Sequence, residues 1–144
     1  MVGTLEFRRE VAEMVTAREP KQDRSRATRR RLLEATIDSL ADQGWGATTV
    51  GVVAERAGVS RGATQHHFPT REDLIAAALD YMFDTRMEDA RRESTGLPHG
   101  PTRTEAVVER LVEYYTGPMF KAALQVWTAA AADPEMRSRV LPLE

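Results

Sequence analysis

Apolar side chains recur at helical spacing along almost the whole chain. Leu33, Ile37 and Leu40 fall on one face of a segment covering residues 24–43, which is the pattern of an amphipathic helix. No stretch of useful length alternates apolar and polar residues as a half-buried strand would. The pattern therefore predicts an all-α fold.

Breaker and capping residues divide this pattern into successive helices. Gly44 is placed to end the first helix, and either Thr48 or Thr49 can cap a short helix that reaches Ala57. Gly58 breaks that helix. Two short helices in close succession are therefore predicted, the second running from residue 60 to about residue 67, and Pro69 stops it.

A longer helix is predicted over residues 71–93, because Thr70, Glu72 and Asp73 form a favourable helix start. Its apolar face comprises Leu74, Ile75, Ala78, Leu79, Met82, Phe83, Met87 and Ala90. The composition of residues 96–101 predicts a loop. Further helices are expected over residues 102–116, from Pro118, and again from Pro134.

Three segments follow from this division. Residues 1–20 are an N-terminal arm, either a helical extension or disordered, with only a weak apolar stripe. Residues 21–70 form a three-helix domain, and residues 71–144 form a second helical region. Residues 21–71 carry nine Lys or Arg and five acidic residues, a net charge of +4, whereas residues 72–144 carry a net charge of −5. Only the first region is therefore expected to meet a polyanion.

Composition excludes several classes of protein. The absence of cysteine rules out disulfides and thiolate zinc sites within this sequence. No apolar segment approaches the length of a bilayer span, and the N-terminus lacks the apolar stretch of a signal peptide. We expect a cytoplasmic protein.

The helix predicted over residues 61–67 is too polar for a core element, while the helix before it supplies the apolar anchors Val53, Ala54 and Ala57. A polar helix held by an apolar neighbour can enter the major groove of double-stranded DNA as a helix-turn-helix. The alternative is a helical hairpin that only packs.

The same residues resemble a known family. Residues 24–92 are similar to the N-terminal domain of the TetR family of bacterial transcriptional regulators. The resemblance rests on Asp42-Gln43-Gly44-Trp45, on residues 53–60, and on Gly62 with the run from His66 to Leu74. Residues 102–140 resemble the family's ligand-binding domain more loosely. The resemblance implies a repressor that binds a palindromic operator as a homodimer and releases it when a small-molecule effector binds.

Carried over position by position, the resemblance implies a set of DNA-binding residues. These are Thr49, Gly51, Arg61, Gly62, Ala63, Thr64, Gln65, His66, His67 and Arg71. Arg61 suits guanine and Gln65 suits adenine, whereas His66, His67 and Arg71 suit phosphates. The sequence departs from the family at Gln65, where an aromatic residue is common, and at Thr64, where an apolar residue is common. Phe68 is expected in the core.

Aromatic residues and methionines of the second half fall on helical stripes, for which core packing is the default interpretation. The family resemblance adds the expectation of a ligand pocket. Its candidate residues are Met82, Phe83, Met87, Leu111, Tyr114, Tyr115, Phe120, Leu124 and Trp127.

Catalytic motifs are lacking: the sequence has no Gly-rich phosphate loop, HExxH or GxSxG, so an enzyme is not expected. A metal is not expected, because adjacent helical residues such as His66 and His67 diverge by about 100° and cannot chelate one ion together. No cofactor is expected either. Two alternatives stay open: a helix-turn-helix protein without a ligand response, and a helical interaction module. Family members continue with two more long helices that form the dimer interface. These are missing here, so the regulatory region is expected to be incomplete.

Overall fold

The computed structural model describes the backbone of residues 3–96, 100 and 102–140, and the side chains of residues 21–93, 96, 100 and 102–139. Throughout these ranges the regular structure is α-helical, without a strand, which confirms the predicted all-α class. The helices are α1 (Gly3–Ala47), α2 (Val50–Ala57), α3 (Arg61–His67), α4 (Arg71–Thr95), α5 (Thr102–Thr116), α6 (Pro118–Ala132) and α7 (Pro134–Val140). Of these described helices, none combines the length and hydropathy needed to cross a membrane.

The chain divides into two compact units, residues 1–31 and residues 32–144. In the first unit α1 begins at Gly3, and the side chains described from Lys21 onward are almost all exposed. The side chains of residues 3–20, and with them the role of the predicted arm, lie outside the described residues, as do Leu97, Pro98, His99 and Pro101 of the predicted loop. The predicted domain boundaries after residues 20 and 70 stay predictions.

Gly44 interrupts α1, as its position in the sequence predicted. Its backbone has φ +80° and ψ 179°, a conformation that a residue with a Cβ rarely adopts. The Thr48 hydroxyl donates to the Gly44 carbonyl at 2.8 Å and is buried, so Thr49 is the residue left to cap α2. The Thr49 hydroxyl accepts the N–H of Val52 at 3.3 Å.

The turn between α2 and α3 follows the predicted chemistry. Gly58 ends α2 in the left-handed region, with φ +63° and ψ +37°, and its N–H reaches back to the carbonyls of the last turn. Ser60 caps α3, because its hydroxyl accepts the N–H of Ala63 at 3.2 Å.

One apolar core joins α1, α2, α4, α6 and α7 of the second unit, together with Phe68 at the end of α3. It contains Leu32, Leu33, Ala35, Ile37, Leu40, Val53, Ala57, Phe68, Leu74, Ile75, Ala78, Leu79, Met82, Ala122, Ala123, Val126, Ala130 and Met136. Phe68 is only 3% exposed, in agreement with its expected place in the core. Met87 was predicted on the buried face of α4, but it is 55% exposed, because the core contacts of that helix lie nearer its N-terminus.

An apolar stripe on α5 is exposed. Val108, Leu111, Val112 and Tyr115 are spaced at i, i+3, i+4 and i+7 on α5, and each is about half exposed. Leu124 of α6 is exposed to a similar degree. Among the described residues, α5 and α6 therefore both have exposed apolar side chains.

The Arg71 side chain joins the start of α4 to the end of α1 and to Thr48, which follows α1. Its Nε donates to the Thr48 carbonyl at 2.6 Å, and its Nη2 donates to the Trp45 carbonyl. The guanidinium also lies 4.2 Å from the centre of the Trp45 ring. The Nη1 atom lies 3.9 Å from the Glu72 carboxylate, so the guanidinium has a structural role, and the phosphate contact expected of Arg71 stays a prediction.

The Arg71→Ala substitution is expected to lower the free energy of unfolding by about 2 kcal/mol, because two charge-assisted hydrogen bonds are lost. Arg71→Lys should recover only part of this, since one ammonium group cannot reproduce the planar guanidinium contacts. Urea denaturation of both variants, beside Arg103→Ala at an exposed position of α5, measures the effect. Unchanged stability of Arg71→Ala, together with a reduced salt dependence of DNA binding, would instead indicate that Arg71 contacts phosphate.

A capping box fixes the first turn of α4. The Thr70 hydroxyl accepts the N–H of Asp73 at 3.0 Å, and the Asp73 carboxylate accepts the N–H of Thr70 at 3.2 Å. Arg139 of α7 lies 2.9 Å from the same carboxylate. The hydrogen bond with Thr70 and the nearby Arg139 charge lower the pKa of the Asp73 carboxyl.

A lowered pKa stabilises the fold above the ordinary carboxyl pKa, near pH 4, and this stabilisation is lost as the pH falls through the folded-state value. Asp73→Asn is therefore expected to be less stable than the wild type at pH 7, and the difference should shrink below about pH 4. Thermal unfolding from pH 7 to pH 3 measures this, with Asp80→Asn on the exposed side of α4 as the control. A difference independent of pH would contradict the explanation.

Candidate nucleic-acid interface and effector cavity

The outward face of α3 carries most of the predicted DNA-binding residues. Arg61, Gly62, Gln65 and His66 are exposed, while Ala63 is partly covered. No other residue among those described pairs with the guanidinium of Arg61 in a hydrogen bond or an ion pair, so it is available to a ligand. The structure therefore brings these side chains together on one polar surface.

Thr64 does not belong to this surface, which corrects its inclusion among the DNA-binding residues. It is fully buried, and its hydroxyl donates to the Ser60 carbonyl at 3.0 Å. Thr64 and Phe68 are four residues apart and therefore share the inward side of α3. The local hydrogen bond satisfies the hydroxyl at a position that faces the core.

His67 sits at the edge of the surface. It is partly covered, its ring is tilted against Phe68 with centroids 6.3 Å apart, and the His66 ring lies 5.8 Å away. In the part of the chain that is described, no three His, Asp or Glu side chains are grouped to hold a metal ion.

Gly62 has no packing role within the described structure. A Cβ built on it meets no atom within 4 Å. Glycine inside a helix costs about 0.5–1 kcal/mol relative to alanine. Packing within the described chain therefore does not require a glycine at this position of α3.

Thr49 and Gly51 lie at the exposed start of α2. The Thr49 hydroxyl oxygen is used as a helix cap, and its hydrogen remains available as a donor. Arg26, Arg29 and Arg30 are exposed on the part of α1 that belongs to the first unit.

A cavity of about 280 Å³ lies among α4, α5 and α6. It is lined by Arg86, Asp89, Glu93, Arg110, Glu113, Tyr114, Gly117, Pro118 and Met119. A second, apolar recess of about 20 Å³ shares Arg86, Tyr114 and Met119 with it and is completed by Met82, Phe83, Ala123 and Trp127.

The structure divides the predicted pocket residues into three groups. Met82, Phe83, Tyr114 and Trp127 line the two spaces. Phe120 lines neither, but packs edge-to-face on Tyr115, with ring centroids 4.8 Å apart, and on Trp127.

Met87, Leu111, Tyr115 and Leu124 line neither of these two spaces, and each is about half exposed, so their place in a pocket stays a prediction. The apolar stripes that led to them continue past the cavity onto the surface.

Sequence reasoning missed the charged lining of the cavity. Arg86, Asp89 and Glu93 are spaced at i, i+3 and i+7 on α4, so they share a helix face with one another. That spacing was a usable signal, but a search for apolar and aromatic residues passes over it.

Known proteins of similar sequence include bacterial transcriptional regulators. Residues 32–78 match the family model described as bacterial regulatory proteins, tetR family. The HTH-type transcriptional regulator CymR of Pseudomonas putida is 27% identical over 127 residues, covering 88% of this chain and 63% of the relative. The HTH-type transcriptional regulator BetI of Pseudomonas fluorescens is 27% identical over 121 residues, covering 81% and 61%. The chain thus spans about three fifths of the length of these curated relatives.

Solved structures share the fold. A TetR family transcription regulator from Marinobacter aquaeolei VT8 has a TM-score of 0.62 and 25% identity, covering 85% of this chain and 67% of that one. The multidrug binding protein EbrR, solved with imidazole, has a TM-score of 0.56 at 24% identity, covering 80% and 65%, and is a likeness of fold alone. The family model, the relatives and the fold agree: residues 32–78 match the tetR family of bacterial regulatory proteins, and the chain is similar in sequence and fold to regulators of that family.

Proposed function

We propose that the chain is a transcriptional repressor that binds a palindromic DNA operator as a homodimer and releases it when a small molecule binds. The observation that carries the proposal is the two-sided character of α3. Arg61, Gly62, Gln65 and His66 are exposed on one side, while Thr64 on the other is buried. A rigid helix with exposed donors and acceptors suits the major groove. The proposed role is DNA binding in the cytoplasm rather than catalysis, in keeping with the similarity to HTH-type transcriptional regulators.

The division of labour within the proposed interface follows from side-chain chemistry. Arg61 and Gln65 have the donors and acceptors that read guanine and adenine edges, while His66, His67 and the start of α2 at Thr49 and Gly51 suit the phosphate backbone. Ala63 can meet an apolar base edge such as a thymine methyl group.

A route by which effector binding releases the operator is supported by α4 and α6. Both helices line the cavity, and both contact the end of α1 that precedes α2 and α3. The Gln125 side chain of α6 accepts the N–H of Trp45 at 3.2 Å, and Arg71 of α4 holds the Trp45 carbonyl. The same two helices line the apolar recess through Trp127 and Arg86, and they line the cavity through Met119 and Arg86. A ligand that separates α4 from α6 would therefore disturb the contacts that Trp45 makes with both helices. We expect the end of α1, and with it the position of α2 and α3, to change.

Selection of bound DNA from a random pool, read by sequencing, tests the proposed function. The expected product is a palindrome whose half-sites are about one helical turn apart, roughly 34–36 Å, because two copies of α3 enter successive major grooves. A single enriched half-site would contradict the dimer. Absence of any enriched sequence would contradict specific DNA binding and favour the interaction-module alternative.

Arg61→Ala and Gln65→Ala are each expected to relax base preference at one position of the half-site, at a cost of about 1–3 kcal/mol. Binding of each variant to single-base operator variants measures this, with Lys121→Ala at an exposed position of α6 as the control. An unchanged preference in Arg61→Ala would mean that α3 does not read bases in this orientation.

Gly62→Ala separates stability from DNA binding. The added methyl group meets no atom of the chain, so the variant is expected to be about 0.5–1 kcal/mol more stable, while close approach to DNA is hindered and affinity falls. Gly46→Ala is the matched control, because a Cβ there is equally unobstructed and lies outside α3. Equal DNA affinity of Gly62→Ala and wild type would remove Gly62 from the interface.

A further inference from the structure

The charged cluster beside the cavity holds more positive than negative charge at its centre. Nη1 of Arg110 lies 3.3 Å from Oε2 of Glu93, and Nη1 of Arg86 lies 3.7 Å from the same oxygen. Two guanidinium groups from α4 and α5 therefore share one carboxylate oxygen. Guanidinium groups form their strongest contacts with carboxylates in pairs of hydrogen bonds, which neither arginine has here.

Arg110 is incompletely satisfied. Its Nη1 is buried and makes no hydrogen bond, although it is within ion-pair distance of Glu93. A buried donor without an acceptor is costly, and a charged donor more so than a neutral one. The side chain as a whole is 34% exposed and lines the cavity, so an acceptor placed there can reach the guanidinium.

The other acidic residues of the lining do not supply the missing acceptor. Asp89 lies 3.7 Å from Arg92, which also pairs with Glu88, so its charge is balanced elsewhere. Glu113 is exposed at the rim, where water solvates its carboxylate. The formal charge of the lining is −1, but the charge around the shared oxygen of Glu93 is +1.

An apolar surface adjoins this cluster. The Arg86 guanidinium lies 4.7 Å from the centre of the Tyr114 ring, and both residues also border the recess formed with Phe83 and Trp127. The cavity volume of about 280 Å³ lies near the lower end of the 300–1,000 Å³ typical of ligand sites, so it suits a small ligand.

We propose that the effector is a small organic carboxylate, whose anionic group binds Arg110 and Arg86 in place of Glu93 and whose apolar body lies against Tyr114 and Met119. The inference deepens the effector step of the proposed function and rests on it. Because the Glu93–Arg110 pair joins α4 to α5, replacement of Glu93 by the ligand would break a contact of α4, the helix whose Arg71 also holds the Trp45 and Thr48 carbonyls.

Isothermal titration calorimetry on the full chain without DNA tests the ligand class with one matched series: 3-phenylpropionate, 3-phenylpropionamide and 3-phenylpropylammonium, with inorganic phosphate beside them. The carboxylate is expected to bind at least about tenfold more tightly than the amide, because hydrogen bonds to charged groups are worth about 1.5–3 kcal/mol. The ammonium compound should bind more weakly than either.

Variants identify the site. Arg110→Gln is expected to reduce the carboxylate-to-amide affinity ratio to about one while amide binding persists, and Arg110→Lys should restore part of the ratio. Persistent amide binding also shows that the variant is folded. Arg103→Gln, at an exposed position of the same helix, should leave the ratio unchanged.

Several results would overturn the inference: tightest binding of the ammonium compound, equal binding of carboxylate and amide, phosphate binding as tight as that of the carboxylate, or no binding by any compound of the series. Operator release is measured separately. Carboxylate binding through Arg110 without release would support the ligand class and contradict the release step of the proposed function.

Discussion

A seven-residue helix has too few internal hydrogen bonds to be stable alone, so α3 depends on the core behind it. Thr64 and Phe68 supply that attachment, since both are almost completely buried. Fixing these two positions fixes the rotation of the helix about its axis. The opposite side, with Arg61, Gln65 and His66, is then held outward without any further contact.

The first turn of α4 has the same supporting role for the segment before α2. The Arg71 guanidinium holds the carbonyls of Trp45 and Thr48, and the capping box of Thr70 and Asp73 holds the backbone from which Arg71 projects. Arg139 of α7 reaches the same carboxylate, so the C-terminal helices also bear on this turn. A basic residue at this place therefore need not contact phosphate to matter for DNA binding.

The cavity is linked to the segment that precedes α2 and α3, because α4 and α6 line the cavity and also contact Trp45 near the end of α1. Gln125 and Trp127 are two residues apart on α6, and one contacts Trp45 while the other borders the apolar recess. In the proposed release of DNA, this short separation along one helix would carry a change at the recess to Trp45 near the end of α1. The charge cluster of Arg86, Glu93 and Arg110 adds a polar contact between α4 and α5 that a ligand can compete for.

The sequence by itself determined the helical class, the glycine breaks at Gly44 and Gly58, and the caps at Ser60 and Thr70. These features are local, because they depend on side chains acting on backbone groups within four residues. It also determined which short helix is polar enough to face outward. Whether Thr48 or Thr49 capped α2 could not be decided locally, since both hydroxyls have the required chemistry.

Only the tertiary structure decided whether a residue is buried or exposed when its side-chain type suits both environments. Thr64 is polar but buried, because its hydroxyl finds an acceptor in the preceding turn. Arg71 has the charge of a phosphate-binding residue, and only the tertiary structure shows that two of its donors bind the carbonyls of Trp45 and Thr48. Met87 and Leu111 have apolar side chains yet lie exposed, because the packing of the described helices leaves them uncovered. The meeting of Arg86, Glu93 and Arg110 depends on how α5 packs against α4, and that contact between separate helices leaves no local pattern in the sequence.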